Sequence, residues 1–124
     1  KDTGILHRAY NDAAGTTAAF NLNSLNHINA LTGADFDLDQ FRHIAFYNED
    51  NNRIEMHLER QQDQVISMAG DRIHFSAGER ILTEYSYKYT LEGFARLAAA
   101  AGLVAGEHWV DEDGLFSLQY YSAH

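Results

Sequence analysis

Leu82-Thr83-Glu84-Tyr85-Ser86-Tyr87-Lys88-Tyr89-Thr90 alternates polar and aromatic side chains along most of its length. Successive side chains of a β-strand leave opposite faces, so the run reads as a strand with one polar and one aromatic face. Glu84 and Ser86 then stand side by side on the polar face. A carboxylate that accepts, beside a hydroxyl that donates or accepts, suits a ligand with two nitrogens such as an imidazole. A solvated strand face continuing to Lys88 fits the same alternation, and the pattern alone favours that plainer reading. The opposite row, Tyr85, Tyr87 and Tyr89, is expected to pack in a core rather than to stack on a ligand.

Strand character extends upstream of this run. Phe41–Asn48, Arg53–Gln61, Gln64–Met68, Arg72–Phe75 and Arg80–Tyr89 are separated by turn residues at Asn48-Glu49-Asp50-Asn51-Asn52, Ala69-Gly70-Asp71 and Ala77-Gly78-Glu79. Within Arg53–Arg60, Ile54, Met56 and Leu58 share one face while Glu55, His57 and Glu59 share the other. The spacing predicts an antiparallel β meander over residues 41–89 with one wetter face. Before it, Ile5–Asn11 reads as a short helix. Thr16–Leu31 places Ala18, Leu22, Leu25, Ile28 and Leu31 on one helical stripe, with Gly33 where a left-handed cap is expected. Ala34–Gln40, carrying Asp35, Asp37 and Asp39, reads as an acidic loop.

Beyond the strand, Thr90 is a candidate N-cap for a helix over Leu91–Ala101. Its expected buried stripe is Leu91, Phe94, Leu97, Ala98 and Ala101, and Gly102 ends it. Glu107–Asp111 and Leu115–Tyr121 flank Glu112-Asp113-Gly114, whose Asp-Gly pair signals a hairpin. The predicted class is α+β: a helical start, a central meander, then a helix and a hairpin.

Composition bounds the function. A chain of 124 residues with 45% hydrophobic side chains can bury one real core. Nine Lys and Arg against 18 Asp and Glu give a net charge of −9, which repels phosphate backbones and anionic lipid. Neither a nucleic-acid nor a membrane partner is therefore expected. The absence of cysteine removes disulfides, thiolate nucleophiles and Cys-based zinc sites, and fits a cytoplasmic location. Lys1-Asp2-Thr3-Gly4 reads as though the chain begins within a longer protein.

Several familiar chemistries find no motif. The seven histidines are scattered, without the His-x-x-x-His spacing of a helical metal site. Asp35, Asp37 and Asp39 superficially match a calcium loop, but its glycine is absent and Phe46 stands where its closing Glu would be. No metal site is expected. Ser24 and Ser86 lack a nucleophile-elbow setting, and Ala13-Ala14-Gly15 is too poor in glycine to cradle phosphates.

Three stretches together carry a resemblance: Ala9 to Asn23, reading AYNDAAGTTAAFNLN; Arg53-Ile54-Glu55-Met56-His57-Leu58; and Thr83-Glu84-Tyr85-Ser86-Tyr87-Lys88-Tyr89. They resemble the SAM-dependent histidine-specific methyltransferases, which trimethylate the histidine α-amino group to give hercynine for ergothioneine biosynthesis. The likeness runs through essentially the whole chain. It implies a substrate-binding region over residues 1–89, and over 90–124 the last helix and β-hairpin of a Rossmann-like methyltransferase core. The main S-adenosylmethionine site would precede Lys1, so this portion alone is expected to be inactive. Position by position, the resemblance implies that Tyr10 helps hold the backbone end of the amino acid and that Met56 lines the pocket beside the imidazole. It also implies that Glu84 and Ser86 hydrogen-bond the ring nitrogens. Thr16 stands where a valine is expected, and no catalytic base is identified. A non-catalytic amino-acid-binding module and a sibling methyltransferase for another amino acid stay open. Strands without their neighbours would leave an open edge, so self-association is expected of the isolated chain.

Overall fold

A computed structural model describes residues 2–124 and places the alternating run in a strand, Arg80–Tyr87, that ends two residues before the pattern predicts. The helices are α1 (Thr3–Tyr10), α2 (Thr16–Thr32) and α3 (Leu91–Ala100), with one 3-10 turn at Leu38–Gln40. The strands are β1 (Phe41–Asn48), β2 (Arg53–Arg60), β3 (Gln64–Met68), β4 (Asp71–Phe75), β5 (Arg80–Tyr87), β6 (Leu103–Val110) and β7 (Ser117–Ala123). Two compact units divide the chain, the first ending at Tyr87 and the second beginning at Lys88.

In the first unit the strands do not form one continuous meander. β1, β2 and β5 make an antiparallel three-stranded sheet in that order, while β3 and β4 pair only with each other. The Arg60 N–H donates to the Glu79 carbonyl and the Gly78 N–H to the Arg60 carbonyl, both at 2.8 Å, which closes the neck of this β3–β4 excursion. Burial is the reason it folds back. Ile66 is fully buried, and Met68 and Phe75 pack beside it against Leu25, Phe36, Phe41 and Leu58. The rings of Phe36, Phe41 and Phe75 meet pairwise at 5.9, 6.1 and 6.3 Å in tilted and edge-on arrangements. Each aliphatic side chain so buried contributes about 1.5–3 kcal/mol.

Gly15 stands at the N-cap of α2 and offers no side-chain cap. Asp12 supplies one: its carboxylate accepts the Thr16 and Thr17 N–H groups at 2.9 and 3.0 Å. These bonds, led by that from Thr17, hold the carboxyl down to about 2. The helix ends at Gly33 with φ 69°, a left-handed conformation that L side chains rarely adopt. Two details depart from the expected stripe. Leu31 is 82% exposed, whereas the polar Asn21 is buried. Asn29 instead anchors the last turn, donating to the Phe36 carbonyl at 2.8 Å and accepting its N–H at 2.9 Å.

The second unit is a helix and a hairpin. Thr90 caps α3, its hydroxyl accepting the Gly93 N–H at 3.0 Å. Phe94 meets the rings of Tyr89 and Tyr121 at 5.3 and 5.6 Å. Ala98 is buried, but Leu97, expected in the buried stripe, is exposed. β6 starts at Leu103, earlier than the predicted Glu107, and pairs with β7 around the loop 111–116 rather than a tight Asp-Gly turn. Asp111 organises that loop by accepting the Phe116 N–H at 2.7 Å. The ladder is irregular between Ala105 and His108, where a Cβ on Gly106 would come within 2.8 Å of the Tyr120 ring. Val104, Trp109, Phe116, Leu118 and Tyr120 all remain exposed.

Candidate functional site

The pairing of β2 with β5 decides where Glu84 and Ser86 point. Ile54 faces Ser86 and Met56 faces Glu84, but His57 faces Leu82, leaving Thr83 as an extra residue on β5. Such a bulge shifts the alternation by one place. Ile81, opposite Leu58, therefore points inward before the bulge, and Glu84 and Ser86 point inward after it. Unbroken alternation from Ile81 would have turned Tyr85 and Tyr87 toward the helices instead.

Met56, Glu84 and Ser86 consequently share the inner face of this sheet, and Tyr10 reaches that face from α1. Met56 is buried with Ala45 and Ile54, and Tyr10, at the end of α1, packs on that cluster. Tyr10 Oη donates to Ser86 Oγ at 2.9 Å. Glu84 is exposed, and its carboxylate makes no hydrogen bond or ion pair among the described residues. It opens with Met56 and Thr83 onto a cleft of about 340 Å³ whose other wall is α2, through Phe20, Asn21, Asn23, Ser24 and His27. Tyr10 and Ser86 are not among the residues lining that cleft.

Three residues that sequence reasoning passed over tie this face together. Asn21 is only 2% exposed. Its amide nitrogen lies 3.1 Å from the His57 carbonyl, an acceptor only, which fixes the amide's orientation. The same nitrogen lies 2.9 Å from His43 Nδ1, so Nδ1 must accept and the ring proton sits on Nε2. Nε2–H then donates to the Tyr10 carbonyl at 2.9 Å. On the other side, the Thr83 hydroxyl lies 2.6 Å from Asn21 Oδ1 and 3.0 Å from the Met56 carbonyl. One signal in the sequence pointed here: Asn21 falls three after Ala18 and four before Leu25, on the apolar stripe of α2.

The outer face of the sheet holds a separate charged and aromatic cluster. Arg53 stacks on Tyr85 at 3.6 Å and bonds the Tyr87 hydroxyl at 2.7 Å. Glu55 takes Arg53, His57 and Asn48 as partners, and the ring of His57 stacks on Phe46 at 5.5 Å. The Arg53 bond, first among these, holds the Glu55 carboxyl below the usual carboxylate range. The tyrosine row thus covers no core: Tyr85 and Tyr87 stay half exposed beside Arg53, and Tyr89 lies past the strand against Phe94.

No three His, Asp or Glu side chains gather as a metal would require among the described residues. A cradle for S-adenosylmethionine of the strand–glycine loop–helix kind is also missing among them. α2, whose N-cap is a glycine, follows another helix, and the strand before α3 leads into it through Lys88-Tyr89-Thr90.

A family model described as histidine-specific, SAM-dependent methyltransferase matches residues 1–123. A histidine N-alpha-methyltransferase of Mycolicibacterium smegmatis is 48% identical over 120 residues, covering 95% of this chain and 37% of that protein. A histidine N-alpha-methyltransferase of Mycobacterium tuberculosis is 42% identical over the same length and coverage. An L-tryptophan methyltransferase of Psilocybe serbica is 31% identical over 91 residues, covering 71% of this chain and 25% of that protein. The chain thus spans little more than a third of the length of the two histidine enzymes.

Proposed function

The chain belongs to the histidine-specific, SAM-dependent methyltransferase family, and on that premise we propose that it is the histidine-recognising portion of an enzyme methylating the substrate's α-amino group. The product of that reaction is hercynine, on the way to ergothioneine. The observation that carries this reading is Glu84 facing Met56 across the strands, one place from a Ser86 held by Tyr10. In this role the Glu84 carboxylate accepts one ring N–H. A hydroxyl that accepts from Tyr10 is polarised as a donor, which suits Ser86 to the second ring nitrogen. Met56 supplies an apolar wall.

Selectivity follows from what a wrong substrate leaves undone. A side chain without ring nitrogens offers Glu84 no N–H to accept, and mismatches of that kind discriminate by up to ~10⁴-fold. Residues 1–89 would form the substrate-binding region, and 90–124 the last helix and hairpin of a Rossmann-like core. S-adenosylmethionine supplies the methyl group in this family. With no cradle for it among the described residues, the contribution of this chain is to hold and aim the amino acid.

Calorimetric titration of the full-length protein with histidine, S-adenosylhomocysteine present, tests the assignment. Glu84→Ala with Ser86→Ala should weaken histidine by at least ~100-fold, as expected when both polar partners of the bound ring are removed. Unchanged affinity would overturn it. A second reading, a sibling enzyme for another amino acid, draws support from the likeness to an L-tryptophan methyltransferase. An indole offers one ring N–H where an imidazole has two nitrogens. Methylation assays across the standard amino acids separate the two, and a preference for tryptophan over histidine would favour the sibling.

A further inference from the structure

We infer that Thr83, the bulged residue of β5, is a positioning residue that sets the aim of Glu84, with Asn21 holding Thr83 in place. The inference rests on the reading of Glu84 as the acceptor of a ring N–H. Three observations carry it. First, only the bulge brings Glu84 to the inner face: Met56 faces Glu84 while its neighbour His57 faces Leu82. Second, the bulged residue is tethered by its side chain, the Thr83 hydroxyl reaching Asn21 Oδ1 at 2.6 Å and the Met56 carbonyl at 3.0 Å. Third, the tether is continuous with the other end of the site. Asn21 is buried and donates to His43, whose opposite ring nitrogen donates to the Tyr10 carbonyl. Tyr10 in turn bonds Ser86, one strand position beyond Glu84 on the same face. A bulge that served only to bend the strand would need no such path. Here the backbone that carries Glu84 and the residue that holds Ser86 are set by one hydrogen-bonded series, so the spacing of the two groups is fixed before any ligand arrives.

The test measures kcat and KM for histidine and phenylalanine in the full-length protein at saturating S-adenosylmethionine. Thr83→Val keeps the side-chain shape and removes the hydroxyl. It should raise the histidine KM by about tenfold, the scale of one misplaced hydrogen bond. The kcat should hold, and the preference over phenylalanine should fall by a similar factor. Thr83→Ser should restore both, and in a Glu84→Gln background Thr83→Val should add almost nothing. An unchanged KM in Thr83→Val overturns the inference, as does an equal rise in the Glu84→Gln background, because Thr83 would then act elsewhere. If Glu84→Gln itself leaves histidine recognition intact, the underlying reading of Glu84 falls instead. Should Thr83→Val fail to fold, ¹H–¹⁵N spectra of the unsubstituted protein still decide. The tether requires a proton on His43 Nε2 and none on Nδ1, and a protonated Nδ1 overturns it.

Discussion

Asn21→Ala should be among the most damaging small substitutions in the first unit, although it removes no hydrophobic area to speak of. The amide makes three bonds: donated to His43 Nδ1 at 2.9 Å and to the His57 carbonyl at 3.1 Å, and accepted from Thr83 at 2.6 Å. Without it, the Thr83 proton falls back on the Met56 carbonyl, already 3.0 Å away. The His57 carbonyl and His43 Nδ1 lose this donor, and each acceptor left unsatisfied costs about 1–3 kcal/mol. Alanine's better helix propensity returns at most about 0.7 kcal/mol. The net loss is about 1–5 kcal/mol, which for a unit of this size lowers the melting temperature by roughly 5–40 °C. Urea and thermal unfolding followed by circular dichroism read both quantities. Asn26→Ala is the control, an exposed position of the same helix whose side chain, among the described residues, bonds only Asn23, at 3.3 Å. It should be neutral or slightly stabilising. If Asn21→Ala falls within about 0.5 kcal/mol of that control, orphaned acceptors are not what Asn21 prevents, and the reasoning fails.

Asp12, Glu55 and Glu59 all have carboxyls held below their ordinary values by hydrogen-bond partners, chiefly Thr17, Arg53 and Arg80 respectively. Their contribution is complete above the unfolded values near about 4 and is lost as pH falls through the folded ones. The urea midpoint should be flat above roughly pH 5 and decline toward pH 2, the region where Asp12 gains its proton; a midpoint unchanged across that range would contradict the assignments. Arg53→Lys gives up the stack on Tyr85 and the pairing with Glu55 at 2.7 Å. It should lower the urea midpoint, and a neutral result would show the cluster to be idle. The single tryptophan, Trp109, is 53% exposed on the apolar hairpin. Residues 1–124 alone should therefore self-associate, with Trp109 emission shifting to the blue as concentration rises. Monomeric sedimentation with constant emission would refute this, and Trp109→Lys should reduce the association.

Much of the local structure is legible because its causes are local. Gly33, Thr90 and the turn at Asn48–Asn52 mark boundaries through backbone preference and capping, and β1 and β3 run as the alternation predicts. What escapes the sequence is set at a distance. The β3–β4 excursion leaves the sheet because Ile66, Met68 and Phe75 find a better surface on Leu25 and Leu58, a preference no window of sequence contains. The tyrosine row was expected in a core, yet one unpaired residue, Thr83, reverses which side it faces. Asn21 looked like a polar interruption of an apolar stripe, and only the carbonyl of His57 explains it. The candidate site shows the same division. Alternation alone placed Glu84 beside Ser86, whereas Tyr10 and Met56 entered through the family resemblance, being far from both along the chain.

The bulge at Thr83 also governs which changes in chain length this region can accept. A strand carries its side chains in a frame of two and the bulge absorbs one extra residue, so deleting Thr83 would leave a regular ladder with Glu84 still opposite Met56, at the loss of the tether to Asn21. One residue inserted after Thr83, with the bulge unchanged, would instead make every position from Glu84 to Tyr87 exchange sides: Glu84 and Ser86 would move out beside Arg53, and Tyr85 and Tyr87 would turn in against Met56. Among relatives of this chain a one-residue gap in β5 should thus fall at Thr83, while the β3–β4 turn at Ala69-Gly70 is open to steps of any size.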